Sequence, residues 1–132
     1  MTCRKGYGLQ VFKRHGMKCM YCDREMGTSY DAWLSISVDH VIPMSVLKKW
    51  GQGFAKMVDH VDNCVTCCRS CNEFLTGYRV DDNAPCSKEE FLSLVDMHLA
   101  RKREHAQRRH LEEREWYEKR VAKQEWLAQM QV

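Results

Sequence analysis

The sequence has no long apolar segment. Its 132 residues contain no run that approaches the roughly 18 apolar residues of a membrane-spanning helix. Residues 1–18 carry five basic side chains and lack the apolar stretch of a secretory signal. These absences predict a soluble, cytoplasmic protein. In a reducing compartment cysteines bind metal more often than they form disulfides.

Proline, glycine and cysteine are absent from residues 87–132. Both prolines, all seven glycines and all eight cysteines lie in residues 1–86. Ser87 and Glu90 have the spacing of a capping box, and the residues that follow favour helix. The sequence therefore predicts a loop-rich metal domain over residues 1–86 and a helical extension over residues 87–132.

The net charge is only +3, which does not by itself indicate a nucleic-acid partner. The charge is unevenly distributed, with +5 in residues 1–18 and +4 in residues 101–110, which leaves −6 on the rest. Residues 101–110 have two interpretations: a solvated helix face with i,i+4 ion pairs, or a face that lies on a phosphate backbone.

Short periodic segments predict the elements of the first part. Residues 8–15 favour a helix that ends at Gly16. Residues 32–38 alternate between apolar and polar side chains and predict a strand, and residues 61–66 predict a second one. Residues 44–50 are compatible with a helical turn, and residues 72–77 with a short helix.

Two C-x2-C pairs, Cys19/Cys22 and Cys68/Cys71, predict one tetrahedral zinc site, because each tight turn offers two thiolates. Cys64 and Cys67 form a third such pair and leave a second register open. We favour the first register, because Cys64 and Cys67 would point to opposite faces of a strand. The remaining cysteines are then small buried side chains or spare thiols: Cys3, Cys64, Cys67 and Cys86.

Three strings occur in order around these pairs: Asp39-His40-Val41-Ile42-Pro43, Asn63-Cys64-Val65, and Cys68-Arg69-Ser70-Cys71-Asn72. Together with the first C-x2-C pair they resemble the HNH endonucleases of the ββα-metal type that have a zinc-ribbon frame. The resemblance covers roughly residues 19–75, and its specificity lies in the combination of strings. It implies an α+β fold, with a small ββα-metal core held by a four-cysteine zinc site and followed by a long C-terminal helix.

The resemblance also implies roles for four residues. His40 would be the general base that activates water, and Asp39 a carboxylate ligand of the catalytic ion. Asn72 would be the second ligand of that ion, and Asn63 would hold the loop that orients His40. A site with few, hard oxygen ligands suits Mg²⁺ or Mn²⁺, whereas the zinc ion would be purely structural.

The sequence also contains a second Asp-His pair, four further histidines and an unusual loop after Pro43. Asp59-His60 is a second Asp-His pair; it is a rival base, or more simply a loop pair or an auxiliary polar contact. We assign no role to the remaining histidines: His15, His98, His105 and His110. Many HNH endonucleases have a Gly-Gly loop soon after the proline that corresponds to Pro43, whereas the connection over residues 44–56 in this sequence is long, apolar and basic.

Basic side chains predict sequence-independent phosphate contacts. The principal candidates are Arg69, Lys48, Lys49, Arg101, Arg103 and Arg108, with Arg4, Lys5, Lys13, Arg14, Lys18, Lys56, Lys102 and Arg109 beside them. The expected function is a metal-dependent DNA endonuclease that nicks with low sequence specificity, with RNA as an open alternative substrate.

A different class of function also stays open, namely a non-catalytic zinc module that binds nucleic acid or protein. Apolar side chains of the helical extension could pack on the domain or on a second copy in a homodimer: Trp116, Tyr117, Trp126 and Leu127.

Overall fold

The computed structural model describes residues 6–122 and 129–130, so Cys3, Arg4, Lys5, Trp126 and Leu127 lie outside the described part. The fold is α+β. Its elements follow in the order α1 Tyr7–Arg14, α2 Tyr30–Leu34, β1 Ile36–His40, α3 Met44–Trp50, α4 Gln52–Ala55, β2 Cys64–Cys68, α5 Arg69–Phe74 and α6 Lys88–Arg120. None of the described helices combines the length and apolarity needed to cross a membrane.

The two strands form one antiparallel pair in which Ile36 lies opposite Cys68 and His40 lies opposite Cys64. A 3₁₀ turn over Val61–Asn63 leads directly into β2. All five residues of β2 are buried. The strand is covered on one side by α1, where the Thr66 hydroxyl bonds the Val11 carbonyl at 3.3 Å. This pair of strands, with α5 directly after β2, is a small ββα-like unit.

The strand predicted over residues 32–38 is wrong in its first half. Ser29 caps a short helix there, because its Oγ accepts a hydrogen bond from the Ala32 backbone N–H at 3.1 Å. The Ser35 hydroxyl in turn donates to the Ala32 carbonyl at 2.7 Å, so the extended backbone begins only at Ile36. Leu34, which the alternation placed on the buried side, is exposed.

The second strand and α5 are shifted relative to their predicted ranges. His60 caps the 3₁₀ turn through its Nδ1, which accepts from the Asp62 N–H at 3.1 Å, so β2 starts three residues later than expected. Cys68 then ends β2 and caps α5, which therefore starts at residue 69 rather than 72. The helices predicted over residues 8–15 and 44–50 are confirmed, and Gly16 ends the first with a φ of +64°.

The long helix α6 packs across the ββα-like unit with the N-terminal half of its length. The predicted cap is confirmed: Ser87 Oγ accepts from the Glu90 N–H at 3.1 Å, and the Glu90 carboxylate accepts from the Cys86 N–H at 2.7 Å. One face of this half is buried, and it consists of Phe91, Val95, His98, Lys102 and Ala106. From Leu111 to the end of α6 every residue is exposed, including Trp116 and Tyr117, which do not pack on the domain.

Candidate metal centre and adjacent polar site

The four predicted zinc ligands lie together. The Sγ atoms of Cys19, Cys22, Cys68 and Cys71 are all within 4.8 Å of one another, and those of Cys22 and Cys68 are 3.7 Å apart. A tetrahedral Zn²⁺ with Zn–S bonds of about 2.3 Å requires sulfur atoms about 3.8 Å apart. The described cysteines form no disulfide. The cluster therefore fits a structural metal ion such as zinc, and the first register is confirmed.

Local backbone geometry prepares both turns for a metal. The Tyr21 N–H donates to Cys19 Sγ and the Cys71 N–H donates to Cys68 Sγ, each at 3.4 Å. Such bonds stabilise thiolates. Asp23 closes the first turn in a left-handed conformation with a φ of +65°. Hydrogen bonds from the neighbouring thiols of Cys22, Cys67, Cys68 and Cys71 lower the pKa of Cys19, so the cluster stabilises a thiolate in this position.

Helix α6 covers the cluster. His110 Nε2 lies 3.1 Å from Cys71 Sγ. Arg103 donates to the Met20 carbonyl at 2.7 Å and pairs with both oxygens of Asp23, at 2.7 and 3.2 Å. Two α6 side chains thus bind the turns that carry the cysteines, and Arg103 is held there rather than directed to solvent.

The other described cysteines do not join the cluster. Cys64 Sγ lies 3.5 Å from the Val58 carbonyl, and burial raises the pKa of this thiol to about 12. Cys67 is buried in β2 and its Sγ lies 3.2 Å from the Cys68 carbonyl. Cys86 is exposed just before α6. The structure thus places Cys64 and Cys67 as small buried side chains.

The polar site begins at the end of β1, where His40 lies. Its Nε2 is 2.9 Å from Asp59 Oδ1, and 26% of its side chain is exposed. Its ring also lies beside that of Tyr7, with centroids 6.3 Å apart. Asp59 belongs to the Asp-His pair that the sequence offered as a rival base or an auxiliary contact. Here the carboxylate orients His40, and Nδ1 of His40 bonds no other described residue.

Asn63 fixes the loop that follows His40. Its buried Oδ1 accepts from the Ile42 N–H at 2.9 Å, and its Nδ2 donates to the Ile42 carbonyl at 3.0 Å and to the Val58 carbonyl at 3.5 Å. The Val41 N–H donates to the Asn63 carbonyl at 2.8 Å. One asparagine therefore satisfies the backbone of Ile42, two residues beyond His40.

Asp39 lies on the opposite face of β1 from His40, since successive side chains of a strand alternate. Its Oδ2 accepts from the Tyr21 hydroxyl at 2.5 Å and from the Lys102 ammonium at 3.0 Å. Burial, with the charge of Asp39 and the hydrogen bond to it, raises the pKa of Tyr21, so its hydroxyl stays protonated. The Asp39 side chain is only 12% exposed.

This arrangement does not fit the expected divalent ion. Asp39 already has a cation at its carboxylate, and Asn72 is exposed on α5 with no hydrogen-bond partner within the described ranges. Mg²⁺ requires several oxygen ligands in near-octahedral geometry. The structure thus brings Asp39 together with Lys102 and Tyr21, whose donors both bind its Oδ2.

The predicted phosphate contacts divide into three groups. Lys102 is buried, so the expectation that it contacts phosphate is wrong, and Arg103 is bound to Asp23. Ion pairs also hold Arg14 to Asp62, Lys18 to Glu25 and Arg109 to Glu112. The exposed members that form no ion pair with a described residue are Lys13, Lys48, Lys49, Lys56, Arg69, Arg101 and Arg108. The basic segment over residues 101–110 is therefore only partly a solvated face.

Sequence reasoning missed Lys102 and Tyr21 as partners of Asp39, and His110 as a neighbour of Cys71. It also missed His98, which is buried between Asp82 Oδ1 at 2.6 Å and the Tyr78 hydroxyl at 2.8 Å. The signal for Lys102 was present, because the apolar face of α6 extends by one helical turn from His98 to this lysine.

No known protein family, curated protein or solved structure matches this chain.

Proposed function

We propose that this chain is an endonuclease that hydrolyses phosphodiester bonds of DNA, with His40 as the general base. The observation that carries the proposal is the His40–Asp59 contact at 2.9 Å, at a ring that is still partly open to water. A carboxylate that holds one imidazole nitrogen fixes the ring and leaves the other nitrogen for proton transfer. Asn63 supports the same geometry by tying down the loop after His40.

In the proposed reaction the neutral His40 ring accepts a proton from water as the water oxygen attacks phosphorus. The bond from phosphorus to the 3′ oxygen breaks, and that oxygen takes a proton from solvent. The products are a 5′-phosphate and a 3′-hydroxyl, and His40 returns its proton to solvent. Asp59 keeps the ring in place throughout. The expected Mg²⁺ or Mn²⁺ is not part of this proposal, because Asp39 is already bound to two donors.

Exposed cations supply the affinity for the nucleic-acid backbone. Lys49 and Arg79 line a cleft of about 330 Å³ beside Pro43, but Asp81 and Asp82 line it too, so the cleft itself carries no net positive charge. Arg69, Arg101 and Arg108 are exposed elsewhere on the surface. Contacts of this kind neutralise phosphates without reading bases, so we expect strong salt dependence and low sequence specificity.

The test is the conversion of supercoiled plasmid to nicked circles by zinc-loaded protein. His40→Ala is expected to abolish nicking, and Asp59→Asn to reduce it by roughly ten- to a hundredfold, in the range of lost general-base assistance. The matched control is His60→Asn, which changes the exposed histidine of the other Asp-His pair and retains an acceptor for the Asp62 N–H. Equal nicking by the His40 and His60 variants would contradict the assignment. A parallel RNA substrate identifies the preferred sugar.

A non-catalytic zinc module that binds nucleic acid is the second candidate. It is favoured by the enclosure of Asp39 between Tyr21 and Lys102, which removes one expected ligand from the site. Salt-dependent DNA binding by the wild type, with no nicking in any divalent metal, would support this alternative over the nuclease.

A further inference from the structure

We propose that the ammonium of Lys102 is a built-in cation of the polar site and takes the place on Asp39 that a catalytic divalent ion would occupy. The inference concerns the same site as the proposed function and rests on it for its meaning in catalysis. Its physical content, the exclusion of a divalent ion from Asp39, can be measured independently of cleavage.

Lys102 makes two hydrogen bonds at the end of β1 and one cation–π contact. Nζ donates to Asp39 Oδ2 at 3.0 Å and to the His40 carbonyl at 3.2 Å. It also lies 5.5 Å from the centroid of the Tyr78 ring, within the range of a cation–π contact. Lys102 therefore connects α6 to both the side chain and the backbone at the end of β1, directly at the candidate base.

The position of Lys102 in α6 holds its ammonium at Asp39. The residue is 3% exposed and lies on the buried face between His98 and Ala106. One turn earlier His98 is itself held by Asp82 and Tyr78. One turn later Ala106 is completely buried. Lys102 is thus enclosed between two buried turns of α6, and this enclosure opposes displacement of its ammonium by a metal ion.

A divalent ion at Asp39 would meet two obstacles. Oδ2 already accepts from Tyr21 and Lys102, so only Oδ1 remains. An ion on Oδ1 would share one small carboxylate with a buried ammonium. Like charges repel strongly where water is largely excluded, and the Asp39 side chain is 12% exposed. The negative charge of Asp39 is thus matched by the single positive charge of Lys102.

This makes Lys102 a positioning residue. Because the ammonium is buried, it does not touch a substrate; it fixes Asp39 and the His40 carbonyl instead. The charge that develops on the phosphate during hydrolysis must then be balanced by exposed arginine and lysine side chains. Cleavage by the zinc-loaded protein should therefore proceed in buffer freed of Mg²⁺ and Mn²⁺.

Mn²⁺ is the probe that tests whether a divalent ion can bind at Asp39. It binds protein ligands more weakly than zinc, so it will not displace zinc from the four cysteines. Free Mn²⁺ is measured by electron paramagnetic resonance in the presence of zinc-loaded full-length chain. We expect the wild type to have no Mn²⁺ site that depends on Asp39. The Lys102→Arg variant keeps the positive charge and should behave like the wild type. The Lys102→Met variant keeps the side-chain length without the charge and should bind one additional Mn²⁺ per chain, which the double variant Lys102→Met/Asp39→Asn should not bind.

Two results would overturn the proposal. One is Mn²⁺ binding by the wild type that Asp39→Asn abolishes. The other is a Lys102→Met variant that retains zinc and wild-type circular dichroism yet binds no additional Mn²⁺. A measurement on the wild type alone guards against variants that do not fold: Mn²⁺ at Asp39 would broaden the ring-proton resonances of Tyr21, whose buried hydroxyl bonds Asp39. Unchanged Tyr21 resonances support the proposal, and selective broadening of them contradicts it.

The cleavage assay separates this proposal from the proposed function. If nicking depends on His40 but also requires Mg²⁺ or Mn²⁺, the nuclease assignment stands and the built-in cation is wrong. If no variant nicks DNA but the Mn²⁺ results are as expected, the built-in cation stands and the nuclease assignment is wrong.

Discussion

Replacing Asn63 by alanine removes the side chain that satisfies the backbone of Ile42. Both residues are fully buried, and the amide makes bonds of 2.9 and 3.0 Å to the Ile42 N–H and carbonyl. Each buried polar group left without a partner costs about 1–3 kcal/mol. Two such groups and the small void left by the amide lead us to expect a loss of about 4 kcal/mol in the free energy of unfolding.

Urea unfolding at a fixed free zinc concentration measures this loss. With an m-value of about 2 kcal/mol per molar urea, the midpoint should fall by about 2 M. Zinc must be buffered, because a ligand that binds only the folded state adds to apparent stability. Asn72→Ala is the matched control: the same substitution at an exposed position without partners among the described residues should change stability by less than about 0.5 kcal/mol. Similar midpoints for the two variants would refute the reasoning.

Three further predictions concern the cluster, pH and DNA. Cys71→Ser should abolish zinc binding, whereas Cys67→Ser, an equally buried thiol outside the cluster, should retain one zinc ion per chain by metal analysis; loss in both would contradict the assigned ligands. Burial and the adjacent arginine lower the pKa of His15 in the folded protein, so its stabilising contribution is present above the unfolded value of 6.5 and is lost as pH falls. The free energy of unfolding, measured with urea at saturating zinc, should therefore fall more between about pH 7 and pH 5 in the wild type than in His15→Gln. Parallel pH profiles of the two proteins would contradict this prediction. Arg101→Ala should weaken DNA binding and lower the salt slope by about 0.9 in fluorescence anisotropy, while Arg103→Ala, whose guanidinium is bound to the first cysteine turn, should change neither.

Much of the metal centre could be predicted from the sequence, because its geometry is local. A C-x2-C pair brings two thiols together within one turn, whatever the rest of the chain does. Ser87 and Glu90 likewise specify the start of α6 through contacts four residues apart or fewer. The strand prediction over residues 32–38 was wrong in its first half for a similarly local reason. The Ser29 cap and the Ser35 hydroxyl stabilise a short helix that the alternation of apolar and polar residues does not reveal.

The polar site was predicted only in part. The strings that resemble a nuclease drew attention to Asp39, His40, Asn63 and Asn72 and implied a loop-holding role for Asn63, but they did not indicate the partners of Asp39 and His40. The Asp59-His60 pair was interpreted as a rival base, a loop pair or an auxiliary polar contact, and the structure places Asp59 beside His40, 19 positions away in the sequence. Such a contact depends on how the 3₁₀ turn before β2 folds back against β1, which no local pattern encodes.

The sequence by itself determined the four cysteines that could hold a metal ion and a long C-terminal helix, because both follow from short-range spacing and helix propensity. The tertiary structure alone decided that Lys102, 63 positions from Asp39, lies inside the polar site. In the sequence this lysine belongs to a basic segment that is compatible with a solvated face. It becomes an internal cation because the apolar residues before and after it hold α6 across the sheet, and the buried ammonium must then find an acceptor.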